Sequence, residues 1–253
     1  MLSNVKAPSW HNPTNRLLTG SDVVSLVSLP TKPTGTRLEG YRKAFVHSSY
    51  CGKDPGSYPP AIVPLQVESN ERLEFLGDAV IDVVVAEYLY KRYPGEDEGF
   101  LTQMRSNLVN GRMLAKLGRT IDVQRFLLLS KEKEHLRESD SVIEDVFEAL
   151  VGAMFVDRGV PAVREFLVAL IEKNLDFAKL MNFSEKDMFV RYYKEKHGCE
   201  LSLVASKTPD NNFKVRVYEK QKGAQVSEGH GRSRREAMDD ASRRGLRGNG
   251  FRF

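Results

Sequence analysis

The stretch SNERLEFLGDAVIDVVVAEYLYKRYP, residues 69–94, sets Glu71, Glu74 and Asp78 along one line of a segment otherwise rich in Leu, Val, Ile and Phe. At about 100° per residue the three fall within about 60° of one another on a helix, and Asp82 carries the stripe a further turn. A second pair, Asp145 and Glu148, stands three residues apart in EDVFEALVGAMFVDRG and shares a face in the same way. If the two helices pack antiparallel, both sets can converge on one point. Clustered carboxylates repel one another, and a hard divalent cation makes such a cluster favourable. Mg²⁺ takes oxygen ligands and keeps several waters, so a few carboxylates suffice. A site of that kind activates water and stabilises charge on a phosphodiester. Spacing alone leaves a second reading open, in which the acids line two solvated helix faces.

These groups need elements to hold them. From Asn70 the apolar period is helical as far as Tyr93, and Pro94-Gly95 supplies the stop. EGFLTQMRSNLVNGRMLAKLGRTI predicts one or two further helices. SVIEDVFEALVGAMFVDRG, residues 141–159, predicts another, with Ser141 and Glu144 spaced as a capping box and Gly159 closing it. Pro161 opens a following helix that runs towards Leu180. LEGYRKAFVHSSY, residues 38–50, reads as a helix, and the Pro- and Gly-rich run from Cys51 to Ser69 as a long exposed loop. Residues 1–37 read as an irregular lead-in with one short helix near Asp22–Leu29, ahead of a helical domain over 38–182.

The tail has a different grammar. EKDMFVRYYKEKHG is helical, short alternating runs broken by turn residues follow, and SRREAMDDASRRGL closes as a helix. That order, α-β-β-β-α, is a complete small domain over 184–253. Charge divides the same way: residues 184–253 carry 16 Lys and Arg against 10 Asp and Glu, a net of +6, while residues 1–183 carry a net of −2. A basic module beside a slightly acidic body suits a polyanionic partner. No apolar run reaches about 18 residues, which argues against a membrane span. Cys51 and Cys199 form no disulfide framework or metal-ligand spacing, which fits a reducing, cytoplasmic setting.

NERLEFLGDAVI resembles the signature segment of the ribonuclease III family, and EDVFEALVGAMFVDRG resembles its second acidic segment. AFVHSSY and LTQMRSNLVNGRMLAKLG fall in the family's order, so the resemblance covers roughly residues 40–180. It implies an all-helical endonuclease domain in which Glu74, Asp78, Asp145 and Glu148 bind metal and act in catalysis, Glu148 most directly. It implies a supporting role for Glu71 near substrate and the dimer contact, and for Phe75 an insertion into the partner subunit. Spacing alone would make Phe75 an intrachain core aromatic. Asp82 has no place in the family pattern and reads as a surface charge, Asp157 as a helix-ending structural acid, and His47 as a hydrogen-bonded packing residue. Glu144 stands where many relatives carry a small apolar residue, and the capping box accounts for it.

The tail resembles the double-stranded RNA-binding domain over 186–247. Ser233, Arg234 and Arg235 then occupy its phosphate-binding positions at a helix start, and the first helix, from Lys186, faces a minor groove. TPDNNF is short and lacks the His common in the family's middle contact. Together the two resemblances imply a homodimeric endoribonuclease acting on double-stranded RNA with Mg²⁺, for which Mn²⁺ can substitute. The ends left would be 5′-phosphate and 3′-hydroxyl with short 3′ overhangs. The rival is a non-cleaving double-stranded RNA-binding or ribosome-associated member; such relatives commonly lose acids, and all four are present here.

Overall fold

The computed structural model describes residues 8–52, 62–175 and 185–250. The chain divides into two units, Met1–Leu180 and Met181–Phe253.

In the first unit, Thr19 and Asp22 bond each other's backbone as a capping box and open α1, Gly20–Val27. Helix α2 spans Gly35–Lys43, α3 Glu71–Arg92, α4 Glu98–Leu108 and α5 Gly111–Thr120. Asp97 and Asn110 cap α4 and α5 by accepting from the backbone N–H groups of Phe100 and Met113. A last helical run, α6, spans Asp140–Asn174 and breaks at Gly159, whose φ of +74° only glycine adopts at ease; Pro161 then starts its second half. The long α3 and the first half of α6 form the central pair. Val80, Ile81, Val84, Val85 and Leu89 of α3 are buried, as are Ile143, Val146, Phe147, Leu150 and Val151 of α6.

Two expectations change. The helix expected over 38–50 ends at Lys43, and the chain then makes a parallel bridge, Val46 to Leu128, and a tight turn over Ser48–Tyr50. Ser141 and Glu144 form no capping box: Ser139 is the N-cap of α6 and makes no side-chain cap bond. The lead-in holds the expected short helix, and its polar residues dock on the helical body. Asn12 and Asn15 are buried and donate to the Leu129 carbonyl at 3.1 and 2.9 Å. Arg137 donates to the Gln124 and Leu127 carbonyls and to Asn15 Oδ1. The central part of the loop expected from Cys51 lies outside the described residues; its described ends are tied by the Cys51–Gln66 bridge and by Tyr50 donating to the Val63 carbonyl at 2.6 Å.

The second unit is α7 (Glu185–His197), β1 (Leu201–Lys207), β2 (Phe213–Glu219), β3 (Gln225–Gly231) and α8 (Arg234–Gly248), the expected order. The strands form one antiparallel sheet in the order β1-β2-β3, with Val204 opposite Arg216 and Arg216 opposite Glu228. Phe189, Val215, Val217, Ala237, Ala241 and Leu246 form its core. Gly229 and Gly231 belong to β3, ahead of the last helix. A methyl added to Gly229 would lie 2.6 Å from Ala241 Cα, so glycine lets α8 rest on the strand. No described helix is long and apolar enough to cross a membrane.

Candidate active site

Helices α3 and α6 meet backbone to backbone. A methyl added to Gly77 would stand 2.6 Å from the carbonyl carbon of Glu148 and 3.0 Å from the amide nitrogen of Gly152. One added to Gly152 would stand 3.0 Å from the carbonyl carbon of Leu73. Two glycines facing each other remove the side chains that normally hold helices 8–10 Å apart. Glu74 and Asp78 flank Gly77 on one helix, while Asp145 and Glu148 lie on the other within a turn or two of Gly152. The crossing therefore sets the two acidic pairs beside one another.

Glu148 is 8% exposed, an acid on the otherwise apolar face of α6. Burial first, and then the charges of Asp78, Glu144, Glu74 and Asp145, push its carboxyl up to about 8. Glu74 is raised by burial and by Asp145, Glu71, Glu144 and Asp78. Asp145 is raised chiefly by burial; its own backbone N–H opposes the shift and Glu71 adds to it. The four acids thus share one field. Among the described residues no Lys or Arg pairs with any of them, and no hydrogen-bond partner is found for Glu148.

An oxygen-only donor set with a desolvated, unpaired carboxylate at its centre has the chemistry of a hard divalent cation site. Among the described residues no three His, Cys, Asp or Glu side chains are already gathered as a cage. The fit is therefore one of donor type and location, with side-chain rotation left to complete it.

The remaining expected residues sort by contact. Glu71 is exposed at the start of α3, and its charge acts on Glu74 and Asp145. Phe75 is 81% exposed, so no packing within the chain covers it and the core reading fails. Asp82 faces Arg105 at 3.9 Å. His47 accepts from Ser49 N–H at 3.0 Å and caps the tight turn after Val46, a structural task. The Asp157 side chain is only 4% exposed, accepts from Tyr41 Oη at 3.1 Å and pairs with Arg158 and Arg37. Sequence reasoning missed Gly77 and Gly152. Their signal was available: glycine inside a core-facing helix costs about 1 kcal/mol against alanine, and close packing is the usual reason to keep one.

In the second unit, Ser233 is the N-cap of α8, its Oγ accepting from Glu236 N–H at 3.1 Å. Arg232, Arg234 and Arg235 around it are exposed, while among the described residues Arg243 and Arg244 of this helix pair with Glu185 and Asp240. Lys186 is half-buried in the first turn of α7. The start of α8 thus carries exposed cations, none of them in an ion pair among the described residues.

Residues 39–175 match a family model described as ribonuclease-III-like. The chain is 34% identical to ribonuclease 3 of Bacillus licheniformis over 211 residues, covering 81% of each chain. It is 32% identical to a probable ribonuclease 3 of Acanthamoeba polyphaga mimivirus over 85% of its own length, yet it spans only 42% of that relative. The nuclease domain of a ribonuclease III from Campylobacter jejuni is similar in structure, with TM-score 0.51 and 30% identity over 61% of this chain and 96% of that one. The description of that structure speaks of a region involved in dimer formation.

Proposed function

The chain belongs to the ribonuclease III family, and from that premise we propose an endoribonuclease that hydrolyses double-stranded RNA, with Glu74, Asp78, Asp145 and Glu148 holding Mg²⁺ or, in its place, Mn²⁺. The observation that carries this reading is Glu148, an unpaired acid buried at a backbone-to-backbone helix crossing and ringed by other acids. Leaving a charge there without a partner is costly, and a structural helix contact has no use for it. A divalent cation, when bound, supplies the charge that activates water and stabilises the phosphodiester undergoing displacement. Glu148 and Asp145 on α6 and Glu74 and Asp78 on α3 would hold it, and the charge of Glu71 acts on Glu74 and Asp145. The products are 5′-phosphate and 3′-hydroxyl ends with short 3′ overhangs.

Phe75, Val83 and Tyr90 are 81%, 64% and 71% exposed and lie within about 80° on α3, an apolar stripe that suits a homodimer contact with Phe75 as its anchor. In the C-terminal unit Arg234 and Arg235, with the amide groups that Ser233 arranges and Lys186 on α7, bind duplex phosphates without reading sequence.

The test is cleavage of a long RNA duplex with Mg²⁺, with end mapping of the products. Retarding the duplex in a gel without cutting it would favour the non-cleaving family member and end the enzyme reading. Replacing Arg234 and Arg235 together by Ala should weaken binding of unrelated duplexes to a similar degree. It should also reduce the slope of log K against log salt by about 2. An unchanged slope would remove these residues from the phosphate contact.

A further inference from the structure

Helix α5 has two faces of different character. Leu114, Ala115, Leu117 and Gly118 are buried, while Arg112 and Lys116 are exposed. At about 100° per residue Arg112 and Lys116 stand about 40° apart and one turn from each other, so both side chains leave the helix on one side. Two contacts fix where that side lies. The Glu144 carboxylate of α6 lies against Gly111, where an added methyl would stand 2.6 Å from Glu144 Cδ. Further along α5, Arg119 pairs with Asp140 at 2.5 Å and donates to the Glu138 carbonyl at 2.8 Å. Counted from Gly111, Arg119 lies at about 80° and Arg112 at about 100° round the helix, so the cations border the flank of α5 that faces the opening turns of α6. Asp145 and Glu148 stand on those turns. The cations differ in their partners. Arg119 is neutralised by Asp140, whereas Arg112 and Lys116 take part in no ion pair among the described residues, although an acid lies against the residue before Arg112. A polyanion approaching Glu74, Asp78, Asp145 and Glu148 is repelled by them, and free cations at their border lower that barrier locally.

We propose that Arg112 and Lys116 are a phosphate-binding pair of the first unit, holding one strand of the RNA duplex beside the acids. The inference rests on the reading of the chain as an RNA-cleaving enzyme and adds to it a substrate contact outside the C-terminal unit. Arg112 meets a phosphate with its fork of N–H groups, and Lys116 adds a point charge one turn on, within reach of a neighbouring phosphate of the same strand. Such contacts set the register of the strand and carry no base information. The pair holds the strand and not the reacting phosphorus, so it contributes affinity that is equal in the ground and transition states.

The test is steady-state cleavage of a long RNA duplex by the full chain in Mg²⁺ over a series of salt concentrations. Arg112→Gln combined with Lys116→Gln should raise KM about tenfold, leave kcat within about twofold, and reduce the slope of log kcat/KM against log salt by about 2. Arg112→Lys combined with Lys116→Arg keeps both charges and should restore most of the affinity and the whole slope. Lys173→Gln removes an exposed cation, unpaired among the described residues, from the far end of α6 and should leave all three readings at wild-type values. Wild-type KM and slope in the double glutamine variant would overturn the proposal, as would an equal change in Lys173→Gln. A fall in kcat with KM unchanged, or failure of the charge-keeping pair to restore affinity, would overturn it as well, since the residues would then act through the shape of α5. A wild type that leaves the duplex uncut would end the underlying reading and this proposal with it, a result told apart by its appearance before any substitution.

Discussion

Glu148→Gln should abolish duplex cleavage and, in the same molecule, make the metal-free protein more stable at alkaline pH. The loss of activity should reach about a thousandfold, matching the several kcal/mol that a bound cation contributes to a transition state. Duplex binding in EDTA should persist, because the proposed phosphate contacts lie on other residues. The gain in stability follows from linkage. Glu148 titrates at about 8 in the folded chain against an ordinary value of 4.5. Between those values the folded state keeps a proton that the unfolded state has released, so wild-type stability falls as pH rises from about 4.5 to about 8 and stays reduced above. Glutamine carries no such proton. The advantage of the variant should be small at pH 5 and full at pH 9, read from urea unfolding in EDTA. Glu74 and Glu144 carry charges that help raise Glu148, so relief of that repulsion is part of the variant's gain at high pH. Equal wild-type and variant stability at pH 9 would mean that the acid is not buried as the structure has it. Full activity in the variant would remove Glu148 from the chemistry.

The elements were legible where the physics is local. The apolar period of α3, the stop at Pro94-Gly95 and the turn-broken strands of the tail are written in neighbouring residues, and the structure follows them closely. The acids were legible as stripes because helical spacing alone places Glu74 beside Asp78 and Asp145 beside Glu148. What spacing could not supply was the distance between the stripes, since that depends on two glycines whose effect appears only when both helices are present. The docking of the lead-in was hidden for a similar reason. Asn12 and Asn15 bond a carbonyl more than a hundred residues away, and an Asn before a turn reads locally as a loop signal. Ser141 with Glu144 shows the opposite error. A sound local pattern was present, but the helix began two residues earlier, behind Ser139, and the acid lies against Gly111.

Gly77→Ala should damage both stability and cleavage, although alanine is the better helix former. The added methyl meets the backbone of Glu148 and Gly152, which has no rotamer by which to move away. Overpacking of a close contact costs roughly 1–3 kcal/mol and occasionally more, and a backbone neighbour puts this case at the upper end, about 3 kcal/mol. The helices can relieve the clash only by separating, which moves Glu74 and Asp78 away from Asp145 and Glu148. A misplacement of about 1 Å in a catalytic constellation is enough to lose about a hundredfold in rate. Gly152→Ala approaches the same contact from α6, against Leu73, and should reproduce both losses. Gly40→Ala in α2, where an added methyl meets nothing within 4 Å, should instead gain about 0.5–1 kcal/mol and leave cleavage intact. The decisive quantity is residual cleavage at a temperature where Gly77→Ala is still folded by circular dichroism. A folded variant that cuts at the wild-type rate would show that the crossing holds the helices together without setting the acids. Loss of cutting with the fold retained would make the two glycines as necessary to the site as the carboxylates they bring together.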